Sequence, residues 1–335
     1  MRRAGTTVAA ILLAGLAACA PDSRPQVVVY SSVDQVFSAP VLREFESGSG
    51  VRVRAVFDTE ETKSTGVLNR LIAEARHPQA DVFWSGDPMR VFQLIRRDLV
   101  APYRSPQAES LPSYAKDAEG RWTGFAARAR VILVNTDRIA PGEYPSSIRD
   151  LANPRWRGEA TMANPLYGTT TMHVAALFDA WGDERAQAFL DAVRGNEVTI
   201  ASSNGEVKRL VAAGEVAWGL TDTDDANEAL KSGAPVAVVF PDQDELGTLV
   251  MPTVAVLMRG GPNPEQGKAL IDFLLSAVTE ERMAAAAAHL PLRPGVTPPD
   301  RIVPPANLRV MSVHYGALAD TIERIQPWLR RWAGV

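Results

Sequence analysis

Along the chain, apolar positions switch repeatedly between the two-residue period of strands and the 3.6-residue period of helices. Residues 27–30 (VVVY) form a short β-branched run, and a helical pattern from Gln35 to Ser47 then stops at Gly48-Ser49-Gly50. Residues 51–57 (VRVRAVF) alternate as a strand does when one face is buried. From about Ser64 a helix is expected, with Val67, Leu68, Leu71 and Ile72 on one face. Residues 80–84 (ADVFW) read as a buried strand ending in Ser85-Gly86-Asp87-Pro88, before a helix through Arg96. This β-α-β-α-β order predicts a largely parallel sheet flanked by helices.

Residues 122–135 (WTGFAARARVILVN) are long and extended, as a strand crossing between two units would be. A second α/β unit follows. It has a strand at 159–162, a loop at 164–171 leading into a helix from Thr170 or Thr171, helices at 184–194 and 205–213 around a short strand at 198–201, and a strand at 216–220. A second long extended run, 248–258, could return the chain to the first unit, and the C-terminal third reads as helices at 264–276, 279–288 and 311–332. The loops at 31–35, 85–87, 164–171 and 221–225 all follow strands, the edge at which open α/β sheets bind ligands.

At 335 residues the chain can hold two domains, since single cores stop growing at roughly 250–300 residues. A hydrophobic fraction of 46% and a charged fraction of 22% are those of a folded protein. The net charge of −4 and the absence of a long Lys/Arg run argue against nucleic acid as a partner. Arg2 and Arg3 precede a short apolar run at 8–16, well under the ~20 residues that span a bilayer, so residues 1–18 read as a signal peptide. Leu16-Ala17-Ala18-Cys19 resembles the bacterial lipobox, which implies cleavage before Cys19 and its lipidation; a plain signal peptide that happens to precede a cysteine is the alternative. Cys19 is the single cysteine, so the mature domain has neither a disulfide nor a thiol nucleophile. Residues 19–26 then form a lipidated, proline-bearing tether.

VVVYSS, PQADVFWSGDP, ARARVILVNTDRI, LANPRWRGEATMANP, NGEVKRLVAAGEVAWGL, FPDQDELGTLVMP, IDFLLS and HLPLRPGV occur in that order. In these blocks, spread over roughly residues 27–300, the chain resembles the two-lobed (type 2) solute-binding proteins of ABC importers, and within them the bacterial ferric-binding proteins. The resemblance implies an α/β fold of two lobes, each a mixed, mainly parallel sheet flanked by helices, with two crossover strands as the hinge. Lobe one would comprise 27–127 and 255–304, and lobe two 128–254 and 305–335, with the C-terminal helix packed on lobe two. It further implies a monomer that takes up a small solute, closes on it, and delivers it to permease and ATPase subunits, with no catalysis and no resident cofactor. The location would be the periplasmic face of a membrane, the anchor being Cys19.

The same resemblance assigns site positions. Where ferric-binding proteins hold iron with a histidine, a glutamate and adjacent tyrosines, this chain has Asp34, Gly86 beside Asp87, and Asp224-Asp225. Arg128 falls on the family's anion-binding arginine. Residues 164–171, with Tyr167, Thr169, Thr170 and Thr171, supply hydroxyls and a helix start suited to an anion. The expected ligand-binding set is therefore Asp34, Ser85, Asp87, Arg128, Tyr167, Thr169, Thr170, Thr171, Asp224 and Asp225. Converging carboxylates raise one another's pKa and are relieved by a cation. That cation could be a metal held by Asp34, Asp224 and Asp225 with phosphate or carbonate as synergistic anion, the leading reading on the whole-chain resemblance. The alternative is the ammonium of an amino-organophosphorus compound.

Blander readings stand beside these. Asp222 could end a strand, Asp224 could cap a helix with Asp225 in its first turn, Thr169–Thr171 could be capping residues, and Arg128 could be a structural ion pair. His77, His173, His289 and His314 lack metal-ligand spacing and read as surface or satisfied structural residues. No G-x-S-x-G or H-E-x-x-H motif supports a hydrolase. A lipoprotein that senses without transporting is a further alternative.

Overall fold

A computed structural model describes residues 24–58, 66–297, 300–304 and 307–335. The signal peptide, Cys19 and the helix start expected near Ser64 lie outside these residues. The first half runs β1 (Gln26–Ser31), α1 (Gln35–Ser49), β2 (Arg52–Phe57), α2 (Gly66–Ala73), β3 (Val82–Ser85), α3 (Met89–Ile95), the two-residue β4 (Val100–Ala101) and β5 (Thr123–Asn135). It continues through β6 (Ala160–Ala163), α4 (Gly168–Trp181), α5 (Asp183–Gly195), β7 (Thr199–Ala201), α6 (Asn204–Ala212), β8 (Trp218–Asp222), α7 (Thr223–Lys231) and β9 (Val236–Val239). The last elements are β10 (Val250–Met258), α8 (Pro264–Leu274), α9 (Ala277–Ala287) and α10 (Tyr315–Ala333).

The fold is the two-lobed α/β architecture. Strand order is β2-β1-β3-β10-β5-β8-β6-β7, with β4 on β10 and β9 on β5. Within one sheet β1 runs parallel to β2 and β3, and within the other β6 runs parallel to β7 and β8. The antiparallel β5 and β10 join the two. Local chemistry sets the ends of the elements: α1 buries Val41, Leu42 and Phe45, and stops where Gly50 takes a left-handed φ of 70° and donates its amide to the Glu46 carbonyl.

The crossing is marked by one irregularity. Pro252 faces Ala127 but Thr253 faces Phe125, so Ala126 is an extra residue in β5, with φ 42°. Its amide donates to Glu280 Oε1 at 3.0 Å, and the fully buried Glu280 carboxylate also accepts from the Leu292 and Arg293 amides, each at 2.9 Å. A buried carboxylate answered by three amides fixes the kink in the crossing strand.

Most expected elements appear with ends moved by a few residues. The final helix begins at Tyr315 rather than 311, because His314 takes the N-cap position and its Nδ1 accepts from the Ala317 amide at 3.2 Å. Expected against lobe two, α10 packs Trp328 edge-on against Phe178 of α4, yet it also pairs Glu323 and Asp320 with Arg96 just beyond α3. It thus lies across both halves. The short β4 and β9 had no distinct signal. Among the described residues no helix is long and apolar enough to cross a membrane.

Candidate functional site

The strand ends predicted to converge do so around Arg128, the one residue of β5 that is not fully buried. Its Nη2 donates to the Gly86 carbonyl at 2.9 Å, reaching the loop after β3. Its Nη1 lies 3.6 Å from Asp222 Oδ2 and 3.7 Å from Asp224 Oδ2, at the end of β8 and the start of α7. Burial opposes the guanidinium's charge, but the carboxylates of Asp224, Asp222, Asp87 and Asp34 outweigh it and hold its pKa above the ordinary value. Asp34 and Asp87 from the first half are therefore within electrostatic reach of Arg128, and Asp34 of Asp224 as well.

Asp34 occupies the N-cap position of α1 with its side chain exposed and making no cap bond. Asp87 Oδ1 accepts from the Met89 amide at 2.8 Å, fastening the start of α3. Ser85 is fully buried and gives its hydroxyl to the Asp87 carbonyl at 2.6 Å, so it shapes this loop and does not face the cleft. Tyr167 stands at the N-cap of α4, 67% exposed.

The capping readings of the acidic loop need correction. Asp222, not Asp224, holds the N-cap position of α7, and its carboxylate does not cap. Asp224 and Asp225 lie in the first turn, four-fifths buried, with Asp224 Oδ1 accepting from the Asp225 amide at 3.1 Å. Burial, assisted by Asp222 and Asp34 and only partly opposed by Arg128, pushes the Asp224 carboxyl up to about 6. Burial and the neighbouring Asp224 and Asp222 charges push Asp225 up to about 7, against the pull of Lys208 3.7 Å away. This is a cation-seeking pair left short of counter-charge.

Sequence reasoning missed Arg130. It is fully buried, two residues from Arg128 and hence on the same side of β5. Its Nη1 donates to Asp222 Oδ1 at 2.7 Å, Asn204 Oδ1 at 3.0 Å and Thr169 Oγ1 at 3.1 Å, while Nη2 donates to Thr170 Oγ1 and the Leu220 carbonyl, both at 3.3 Å. Thr169 passes its own proton to Asp222 Oδ2 at 2.8 Å, and Thr171 gives its hydroxyl to the Pro165 carbonyl at 2.8 Å. The three threonine hydroxyls expected to cradle an anion are thus buried and engaged within the protein, those of Thr169 and Thr170 by the buried guanidinium and that of Thr171 by a backbone carbonyl. What this stretch offers a ligand is the first-turn amides of α4, which lack intrahelical partners. The signal for Arg130 was present in ARARVILV: an arginine among apolar strand residues requires a buried carboxylate.

Among the described residues no group of three or more His, Cys, Asp or Glu side chains is placed to hold a metal ion. The cation beside Asp222 and Asp224 is Arg128 itself. His173 and His289 are buried, and among the described residues the Nδ1 of each has no hydrogen-bond partner. Burial, with Arg130 beside the first and Arg128 near the second, pushes each down to about 3 and keeps it neutral.

The sequence pattern of a family described as bacterial extracellular solute-binding protein matches residues 77–311. The chain belongs to this family. The resemblance to solute-binding proteins of ABC importers extends to individual relatives. This solute-binding protein is 27% identical to Iron uptake protein A1 of Synechocystis over 286 residues, covering 82% of this chain and 78% of that one. It is 26% identical over 330 residues to a periplasmic protein of Salmonella typhimurium assigned to 2-aminoethylphosphonate binding, covering 95% and 90% of the two chains. Its fold matches apo ferric ion-binding protein A of Pasteurella haemolytica with a TM-score of 0.83 at 22% identity, over 92% of this chain and 98% of that one.

Proposed function

We propose that this chain is the lipid-anchored, periplasmic binding component of an ABC importer, and that it captures a small organic zwitterion carrying an ammonium and a phosphonate or phosphate group. The observation that carries the reading is the pairing of Arg128 with Asp222 and Asp224, beside an acidic pair short of counter-charge. An ammonium donates in three directions and is matched by Asp224 and Asp225, with Asp34 opposite. Arg128 and the first turn of α4 answer the anion. Closure of the lobes would seal the solute between them before delivery to permease and ATPase subunits. The protein would do no chemistry on its cargo, and Cys19 would carry the lipid.

The likeness to Iron uptake protein A1 favours a second reading, a ferric-type metal with phosphate or carbonate as synergistic anion. Against it, Asp224 and Asp225 stand where the resembling family keeps tyrosines, so the phenolates that suit ferric iron are missing. Native mass spectrometry and metal analysis of protein purified without chelator, followed by calorimetry with 2-aminoethylphosphonate and with ferric citrate, separate the two. The zwitterion reading expects metal-free protein and a saturable 1:1 titration with the phosphonate. Stoichiometric iron, or binding of ferric citrate alone, would overturn it.

A further inference from the structure

Two arginines share Asp222, and they are held very differently. Arg130 is fully buried, 2.7 Å from Asp222 Oδ1, with both terminal nitrogens bonded. Arg128 is one-fifth exposed, and its Nη1 stands 3.6 and 3.7 Å from Asp222 and Asp224, outside hydrogen-bond reach. Among the described residues its one side-chain hydrogen bond is the donation from Nη2 to the Gly86 carbonyl at 2.9 Å. Arg130 is therefore a fixed partner of Asp222, whereas Arg128 is loosely placed among carboxylates it does not fully engage.

We propose that Arg128 acts as a stand-in cation when no ligand is bound. It stands beside Asp224, whose carboxylate the ligand's ammonium takes over together with Asp225, and on binding it is released from Asp224 to the ligand's anionic group. The inference rests on reading the cleft as a site for an amino-bearing anion, and it adds how such a site selects. A simple amine can displace Arg128 only by leaving a partly buried guanidinium without a partner, which is costly. A simple anion must draw Arg128 away from carboxylates that then face one another uncompensated. A molecule carrying both charges completes the exchange with every charge paired. Arg130 keeps Asp222 in place throughout, so the exchange is confined to Arg128 and Asp224.

The test uses three probes, ethylamine, ethylphosphonate and 2-aminoethylphosphonate, titrated by calorimetry and ligand-observed NMR into the intact mature protein. The proteins compared are the wild type, Arg128→Met and Arg128→Gln, the last retaining a donor for the Gly86 carbonyl should the first fold poorly. The expected result is that the wild type takes 2-aminoethylphosphonate well and the single-charge probes poorly. Either variant takes ethylamine at least about tenfold more tightly than the wild type does, since the carboxylates are vacated, and loses 2-aminoethylphosphonate and ethylphosphonate. Ethylamine binding that is unchanged or weaker in a folded variant overturns the exchange, even if the wild type binds 2-aminoethylphosphonate. A wild type that ignores all three probes, with variants that gain ethylamine, overturns the phosphonate reading and upholds the exchange.

Discussion

Replacing Asp225 by asparagine should stabilise the empty protein while weakening its binding of a cation. The side chain keeps its shape but loses a charge that the fold disfavours. Asp225 is raised from 3.8 to about 7, first by burial and then by the Asp224 and Asp222 charges. At about 1.4 kcal/mol per pH unit, this rise bounds the cost of its ionisation at about 4 kcal/mol. Asp224 shares that cost and the amide loses the Lys208 contact, so a net gain of about 1–2 kcal/mol is expected, or ~2–6 °C in melting temperature. The sign follows from linkage: a carboxyl with a raised folded pKa binds its proton more tightly when folded. Its charge begins to destabilise the protein above pH 3.8, and the penalty is complete above pH 7. The advantage of Asp225→Asn over wild type should therefore grow from pH 4 to pH 7 and stay flat above. Thermal unfolding of both proteins, ligand-free, at pH 4, 5.5, 7 and 8.5 measures this. A variant less stable than wild type at pH 8.5, or a difference independent of pH, would refute the account of the acidic pair.

Four further outcomes can be checked. Affinity for 2-aminoethylphosphonate should fall on the order of tenfold from pH 8 to pH 5 by calorimetry, because Asp225 and then Asp224 take up protons near 7 and 6; constant affinity would contradict their role. Asp222→Ala should cost about 3–5 kcal/mol in urea unfolding by leaving Arg130 buried without its carboxylate, and a loss below about 1 kcal/mol would show the network is dispensable. Glu280→Ala should cost at least about 3 kcal/mol, since the amides of Ala126, Leu292 and Arg293 lose a charged acceptor. Cys19→Ser should move the protein from the membrane to the soluble periplasmic fraction and abolish palmitate labelling; unchanged fractionation would exclude the lipid anchor.

Much of the fold was legible because burial imposes a period on sequence. The runs before Ser31, Ser85 and Thr221 are apolar enough to mark strands, and helices such as α6 repeat Val207, Leu210 and Val211 on their buried face. The break in β5 at Ala126 was not legible: nothing in ARARV distinguishes a residue with φ 42° from its neighbours, and the cause, Glu280, is 154 residues away. The threonines show the same limit. As a sequence they are hydroxyls at a helix start, and only the buried Arg130 determines that those of Thr169 and Thr170 face inward.

The sequence by itself determined the two α/β units, the crossing strands, and the substitution of aspartates for the tyrosines of the resembling family. These follow from local periodicity and from residue type at a given place, which need no partner to be read. Tertiary structure alone decided how the charges are distributed: that Asp222 belongs to Arg130, that Arg128 stands loosely between Asp222 and Asp224, and that Asp224 and Asp225 are buried short of counter-charge. Charge pairing depends on distance and burial between segments far apart in the chain. In this protein both are set by the pairing of β8 with a parallel β6 and an antiparallel β5, which brings the three strands to one edge of the cleft.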